Sequence, residues 1–387
     1  IGILNAVPMS RSRHAIVSTL PLDTIGGGEA FTLDIHRSAS AAAFEVDLWC
    51  AVQPHKEIAP QSKRIAAGYR YRRLTIVDGI RAVAEEISFA DLLRRLASYE
   101  TVAIQQYLAS LATLDILAAA PPWQRHVLTS LGDEMHQDLF RRVFEPHAGV
   151  SVLEVSRYAA ERSQQRGIAA SAVSAGIWRS DFRTPLPKTN SGPLRAVSVG
   201  RILSHKCFEV AIEAVGREHD LTIVGPPSGD ATYEKFLADQ IASAGNVRTT
   251  GLVDIATRIA LVAEADVLLA NSSHVTYTGM VFDQVELLGL VILEAVAVGT
   301  LPIVSDIPSF REIMEELSLA DWIYPQRDAA ALAVLLARVR DLQPEALRDR
   351  VSAAREGVER SFLWDTYWQR LMAAALLHPT AGRITVA

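Results

Sequence analysis

Two glutamates, Glu286 and Glu294, are separated by seven residues in the run Glu-Leu-Leu-Gly-Leu-Val-Ile-Leu-Glu. At that spacing, across a turn that enters a helix, two carboxylates can hold separate parts of one ligand. Gly289 lies between them and lets backbone approach a ligand closely. The helix that starts there leaves the amides of Leu290 and Val291 without intrahelical acceptors, and such a start receives anionic oxygens, those of a diphosphate for example. Glu294, one helical turn further in, can accept hydrogen bonds from vicinal hydroxyls such as those of a ribose. The bare pattern leaves a second reading open, a helix cap beside a solvated carboxylate.

Arg201 and Lys206 follow the apolar run Arg195–Val199, which reads as a strand. Fixed cations at such a strand end can offset negative charge on a bound or departing phosphate. Arg supplies a planar donor fork and Lys a compact charge, and neither needs a metal. Strand-end cations also read as ordinary surface charge. In the first half, Gly26-Gly27-Gly28-Glu29 follows a short apolar run and opens a helical pattern, where amides can receive phosphate. A plain strand-to-helix turn is the other reading. The three glycines lack the G-x-G-x-x-G spacing of a nicotinamide site, which counts against a dehydrogenase or epimerase.

These segments resemble the retaining glycosyltransferases of the large family four. The Glu286–Glu294 run is similar to that family's E-x7-E signature, and the likeness continues through Pro302-Ile-Val-Ser-Asp-Ile-Pro-Ser-Phe-Arg-Glu312. Val199-Gly-Arg201-Ile-Leu-Ser-His-Lys206-Cys-Phe-Glu is similar to its V-G-R-L-x-x-x-K-G run, with Cys207 at the usual glycine. Gly26-Gly27-Gly28-Glu29, led by Pro21, resembles its G-G-x-E loop. The resemblance runs from Ile16 to Leu377 and includes Phe362-Leu-Trp364-Asp before the last helix.

It implies an α/β protein of the GT-B fold, two facing Rossmann-like, doubly wound domains with a cleft between them. Residues 14–185 would bind acceptor and 194–360 the nucleotide-sugar, with 361–380 a helix crossing back to the first domain. In those terms Arg201 and Lys206 stabilise the departing diphosphate and Glu286 lies by the transferred sugar. Glu294, with Gly289, Leu290 and Val291, holds the nucleotide, while Gly26, Gly27 and Gly28 face the donor phosphates. The nucleoside diphosphate-sugar is a co-substrate, and no metal or other cofactor is called for. One departure stands out: where the family often has a His-Gly pair closing a first-domain strand, this chain has Leu131-Gly132, with His136 five residues on. A nucleotide-sugar-binding protein without catalysis is therefore the competing reading.

Two further expectations build on that resemblance. Asp133, Glu134 and Asp138 form an acidic cluster near His136, and they suit an acceptor bearing amino groups, an aminosugar or aminocyclitol, as well as a capped, solvated helix start. The stretch Ser272 to Val285, rich in Thr, Tyr and His, is expected to form a loop over the donor sugar.

The elements that must position these residues alternate. Strands are expected at His14–Leu20, Glu45–Val52, Tyr71–Val77, Thr101–Tyr107, Arg125–Thr129, Val152–Val155 and Ala172–Val173, with helical patterns between them. A proline-rich linker, Trp178 to Pro193, precedes a second alternating series that begins at Arg195 and ends in three helices, the first capped by Asp328. Such alternation predicts parallel sheets covered on both faces.

At 387 residues the chain is long enough for two domains, and its net charge of −6 gives no overall basic field for nucleic acid. Cys50 and Cys207 alone make no disulfide framework, and a reducing, cytoplasmic setting is expected. The longest apolar stretch, Gly289 to Val304, is broken by Glu294 and Pro302, so no membrane span is expected. Lys63, Arg64, Arg70, Arg72 and Arg73 are the residues that could touch acidic lipid, although a solvated loop and edge strand explain them as well.

Overall fold

The computed structural model describes residues 13–22, 27–52, 69–77, 80–106, 111–130, 149–186 and 192–377. Contacts divide the chain into two units, Ile1–Val173 with Trp364–Ala387, and Ser174–Leu363. Each is built around its own sheet.

The first unit carries β1 (Arg13–Ser18), β2 (Glu45–Ala51), β3 (Arg70–Val77), β4 (Ile80–Ser88), β5 (Thr101–Gln106), β6 (Arg125–Ser130), β7 (Val150–Glu154) and β8 (Ala170–Ala172), in the order β4-β3-β2-β1-β5-β6-β7-β8. The strands β2, β1, β5, β6, β7 and β8 run parallel. The expectation of a wholly parallel sheet is corrected at one edge: β3 is antiparallel to β2, and β4, which the sequence reading did not include, is antiparallel to β3. Arg70 and Arg72 on β3 pair with Glu86 on β4 at 2.6 and 2.9 Å, and Arg73 pairs with Glu85 and Asp47. Those three cations are thus neutralised across the hairpin. Lys63 and Arg64 lie outside the described residues.

Apolar residues at alternate strand positions, Val17, Trp49, Ile104 and Leu128 among them, meet Leu92 and Leu96 of the helix Phe89–Leu96 in the core. The last helix, Tyr367–Leu377, belongs to this unit. Ser38 Oγ donates to the Trp364 carbonyl at 2.6 Å and accepts from the Trp368 amide at 2.9 Å, while Phe31 packs edge-on against Trp364 and Tyr367. One hydroxyl between two chain segments fixes how the C-terminal helix seats.

The second unit carries β9 (Arg195–Val199), β10 (Asp220–Val224), β11 (Val247–Thr249), β12 (Val267–Ala270), β13 (Leu301–Ser305) and β14 (Ile323–Tyr324), all parallel in the order β11-β10-β9-β12-β13-β14. The order reverses between β9 and β12, and that reversal opens a crevice at the C-terminal strand ends. Three aspartates start helices here, Asp230, Asp254 and Asp328, each accepting from an amide three residues on at 2.7 to 3.2 Å. The unit boundary lies at Val173/Ser174, ahead of the expected linker, because that segment packs on the second unit: the Ile177 amide donates to the Phe362 carbonyl at 2.8 Å and the Arg183 amide to the Ala297 carbonyl at 3.3 Å. Among the described residues no helix is long and apolar enough to cross a membrane.

Candidate functional site

The loop after β9 and the segment after β12 meet at the topological switch point. The Ser273 amide donates to the His205 carbonyl at 2.8 Å and ties the two together. The backbone there is crowded: a Cβ on Gly225, at φ +152°, would lie 1.9 Å from the Gly200 carbonyl oxygen, so the loops after β9 and β10 approach as closely as they do only because residue 225 is glycine. Arg201 stands exposed at the mouth of this arrangement, with no ion pair among the described residues.

Lys206 ends the short 3-10 turn Ser204–Lys206, and its ammonium is hydrogen-bonded to the Glu286 carboxylate, which also accepts from Ser272 Oγ at 3.1 Å. Both side chains are largely but not fully buried, at 22% and 18% exposure, so the pair is strengthened by its surroundings and still reachable. Two residues expected to act on opposite ends of a scissile bond therefore touch each other. His205 sits beside them with its ring edge-on to Phe282 at 5.5 Å. Burial, and then the Lys206 cation, hold its pKa below the ordinary histidine value, with Glu286 opposing and Arg201 adding to the depression. The sequence reading did not single out His205, although its position between two named cations was the available signal.

Cys207, where glycine is usual, adopts a left-handed conformation at φ 48° and ψ 48° and precedes the helix Phe208–Val215. That conformation explains the glycine preference. The thiol is buried, with Arg327 Nη1 at 3.5 Å, and burial followed by the Glu209 carboxylate pushes it up to about 12, so it is held as an unreactive neutral group. Arg327 also pairs with Glu209 at 3.0 Å.

Gly289 precedes the helix Leu290–Ala297 at φ +116°, and a Cβ there would meet Phe310 Cε1 at 2.8 Å. The glycine is thus required by backbone angle and by the ring behind it. It leaves the Leu290 and Val291 amides at the helix start, with no acceptor inside the helix. Glu294 lies within that helix and is joined to Arg258 Nη2 at 2.8 Å, a partner on the separate helix Ile255–Glu264 that residue type and spacing do not reveal.

The stretch 272–285 forms a tight loop bridged between Val275 and Val281. Tyr277 stacks on Phe236 with centroids 4.4 Å apart, and Phe282 packs on His205, so the loop borders the Lys206–Glu286 pair. In the first unit Gly27 and Gly28 open the helix Gly27–Ala41, and Thr32 Oγ1 donates to the Gly28 carbonyl at 3.0 Å. Gly26, Leu131, Asp133, Glu134, His136 and Asp138 lie outside the described residues. Among the described residues no group of three His, Cys, Asp or Glu side chains could hold a metal ion.

This arrangement can be set beside known proteins. Residues 184–357 match the family described as glycosyl transferases group 1. They are a group 1 glycosyltransferase domain. WcaL of Escherichia coli (strain K12), provisionally named a colanic acid biosynthesis glycosyltransferase, is 30% identical over 246 residues, which are 62% of this chain and 57% of WcaL. The chain thus spans little more than half the length of that relative. A phosphatidyl-myo-inositol mannosyltransferase of Mycobacterium tuberculosis is 32% identical over 155 residues, 39% of this chain and 37% of that one. Among solved structures, sucrose-phosphate synthase from Thermosynechococcus elongatus superimposes with a TM-score of 0.69 at 17% identity, covering 96% of this chain and 100% of that one. At such identity the likeness speaks to fold, and the fold is GT-B, an α/β architecture of two Rossmann-like units.

Proposed function

We propose that this chain is a retaining glycosyltransferase that moves a hexosyl group from a nucleoside diphosphate-sugar to a hydroxyl of a small-molecule or glycan acceptor, without a metal. The observation that carries the reading is the Lys206–Glu286 pair beside Arg201, on loops that converge at the switch point of a group 1 domain, with the open Gly289 helix start and Glu294 in the same unit. In this mechanism Arg201, Lys206 and the Leu290 and Val291 amides stabilise the diphosphate while the bond from the sugar's anomeric carbon to the phosphate oxygen breaks. The acceptor oxygen bonds to that carbon on the same face, and its proton passes to the departing phosphate oxygen. Glu286 orients the sugar and Glu294 the ribose. The acidic residues Asp133, Glu134 and Asp138 support an amine-bearing acceptor.

Calorimetry with UDP, GDP, ADP and TDP, followed by turnover of the matching hexose donors against neutral and amine-bearing acceptors, tests this. One diphosphate binds, its donor is consumed in the presence of EDTA, and the product keeps the anomeric configuration by NMR. Lys206→Ala lowers turnover about a hundredfold or more, the order seen when a preorganised transition-state partner is removed. Absence of binding to every diphosphate contradicts the reading. Binding without any donor consumption would instead favour a nucleotide-sugar-binding protein.

A further inference from the structure

We infer that Arg258 is a positioning residue of the nucleotide site, holding the Glu294 carboxylate in the orientation that receives the ribose hydroxyls. This rests on the role proposed above for Glu294 and names a residue that role requires.

The geometry is specific. Arg258 sits in the first turns of the helix Ile255–Glu264, anchored by its amide donating to the Asp254 carbonyl at 3.0 Å. Its Nη2 meets Glu294 Oε1 at 2.8 Å, the separation of a charge-assisted hydrogen bond, with the two side chains 33% and 20% exposed. At that burial the pair is screened less than a surface contact. The Arg258 Nε–H, on the same edge of the guanidinium as Nη2, is buried and has no hydrogen-bond partner among the described residues, which leaves one donor in reserve beside the Glu294 contact. A glutamate has three side-chain torsions to fix before it can accept two vicinal hydroxyls, and rotamer freedom of that kind is a cost of binding. An arginine anchored on a neighbouring helix removes much of it in advance.

The test compares UDP, GDP and ADP, each with its 2′,3′-dideoxy counterpart, by calorimetry on the full chain. The wild type binds its preferred ribonucleotide about tenfold or more tighter than the dideoxy form, as expected for hydrogen bonds to a charged acceptor. Arg258→Ala brings that preference below about threefold, Arg258→Lys restores part of it, and adding Arg258→Ala to Glu294→Gln costs nothing further in the preference because the two act as one unit. A merely structural arginine would weaken both nucleotides alike and leave their ratio intact, and that result overturns the inference. Tighter ribonucleotide binding by Arg258→Ala also overturns it, since the ion pair would then be competing with ribose. A wild type that binds both forms equally removes the ribose role of Glu294 and this inference, while leaving donor binding standing. One that binds none of the six removes the functional reading as well.

Discussion

Gly289 lets backbone approach a ligand, and its structural necessity comes from Phe310, twenty-one positions on, whose ring fills the space a side chain would need. At φ +116° the backbone also lies outside the basin that L-residues tolerate, in contrast to Cys207, which sits within the left-handed basin. Gly289→Ala should therefore cost about 2–4 kcal/mol, the combination of a strained backbone and an overpacked contact. Its Phe310 clash also displaces the helix start, so nucleoside diphosphate binding weakens in parallel. Urea midpoints and calorimetry check both, and a variant within about 0.5 kcal/mol of wild type, the range of an ordinary surface change, would show the ring gives way freely. Lys206 and Glu286 were legible as a pair only through their motifs, since eighty residues separate them. Arg258 was not legible at all: an arginine on an amphipathic helix looks the same whether it faces water or a carboxylate on another helix.

Among elements, strands of the second unit were legible in the sequence as Arg195–Val199, Val267–Ala270 and Pro302–Ser305, within a residue of their bounds in the structure, because buried parallel strands are short apolar runs bounded by turn residues. The β3–β4 hairpin was not, since β4 reads Ile-Arg-Ala-Val-Ala-Glu-Glu-Ile-Ser and carries its side chains mostly exposed. The sequence did hold a hairpin signal, Asp78-Gly79, between the two strands. At the other edge an element contact makes a pH prediction. Glu154 closes β7, is 3% exposed, and accepts from Ser163 Oγ at 2.6 Å on the helix Arg157–Gln165 that follows. Burial raises its pKa from 4.5 to about 7, against the lowering effects of Ser163 and Arg166. The folded state thus binds the extra proton between those values, so stability is present below the lower one and falls as pH rises through the higher. With each pH unit in that window worth about 1.4 kcal/mol, the ionised acid costs roughly 3 kcal/mol above pH 7. Glu154→Gln keeps an acceptor for Ser163 and removes the titration. It should match wild type near pH 4.5 and exceed it at pH 8 in urea unfolding, whereas an equal difference at both pH values would put the effect outside this carboxyl.

At the level of the whole chain, the two units differ in how they are encoded. Ser174–Leu363 is continuous in sequence and closes its own sheet and core, whereas the first unit is completed only by the C-terminal segment from Trp364 onward. Trp364, Tyr367, Trp368 and Leu371 are almost wholly buried in it, and removing large side chains of that kind costs about 3–5 kcal/mol each where the core cannot collapse. That total exceeds the margin of a typical domain. A fragment of residues 174–363 should therefore unfold cooperatively by itself and retain nucleoside diphosphate binding, because Lys206, Glu286, Gly289, Arg258 and Glu294 all lie within it. A fragment of residues 1–363 should keep that one transition and lose the other, with the first unit exposing apolar surface to a dye such as ANS. Two intact transitions in the shorter chain would mean the last helix is an accessory and the first unit's core is self-sufficient. Loss of binding in the isolated second unit would mean the nucleotide needs groups that this unit does not contain.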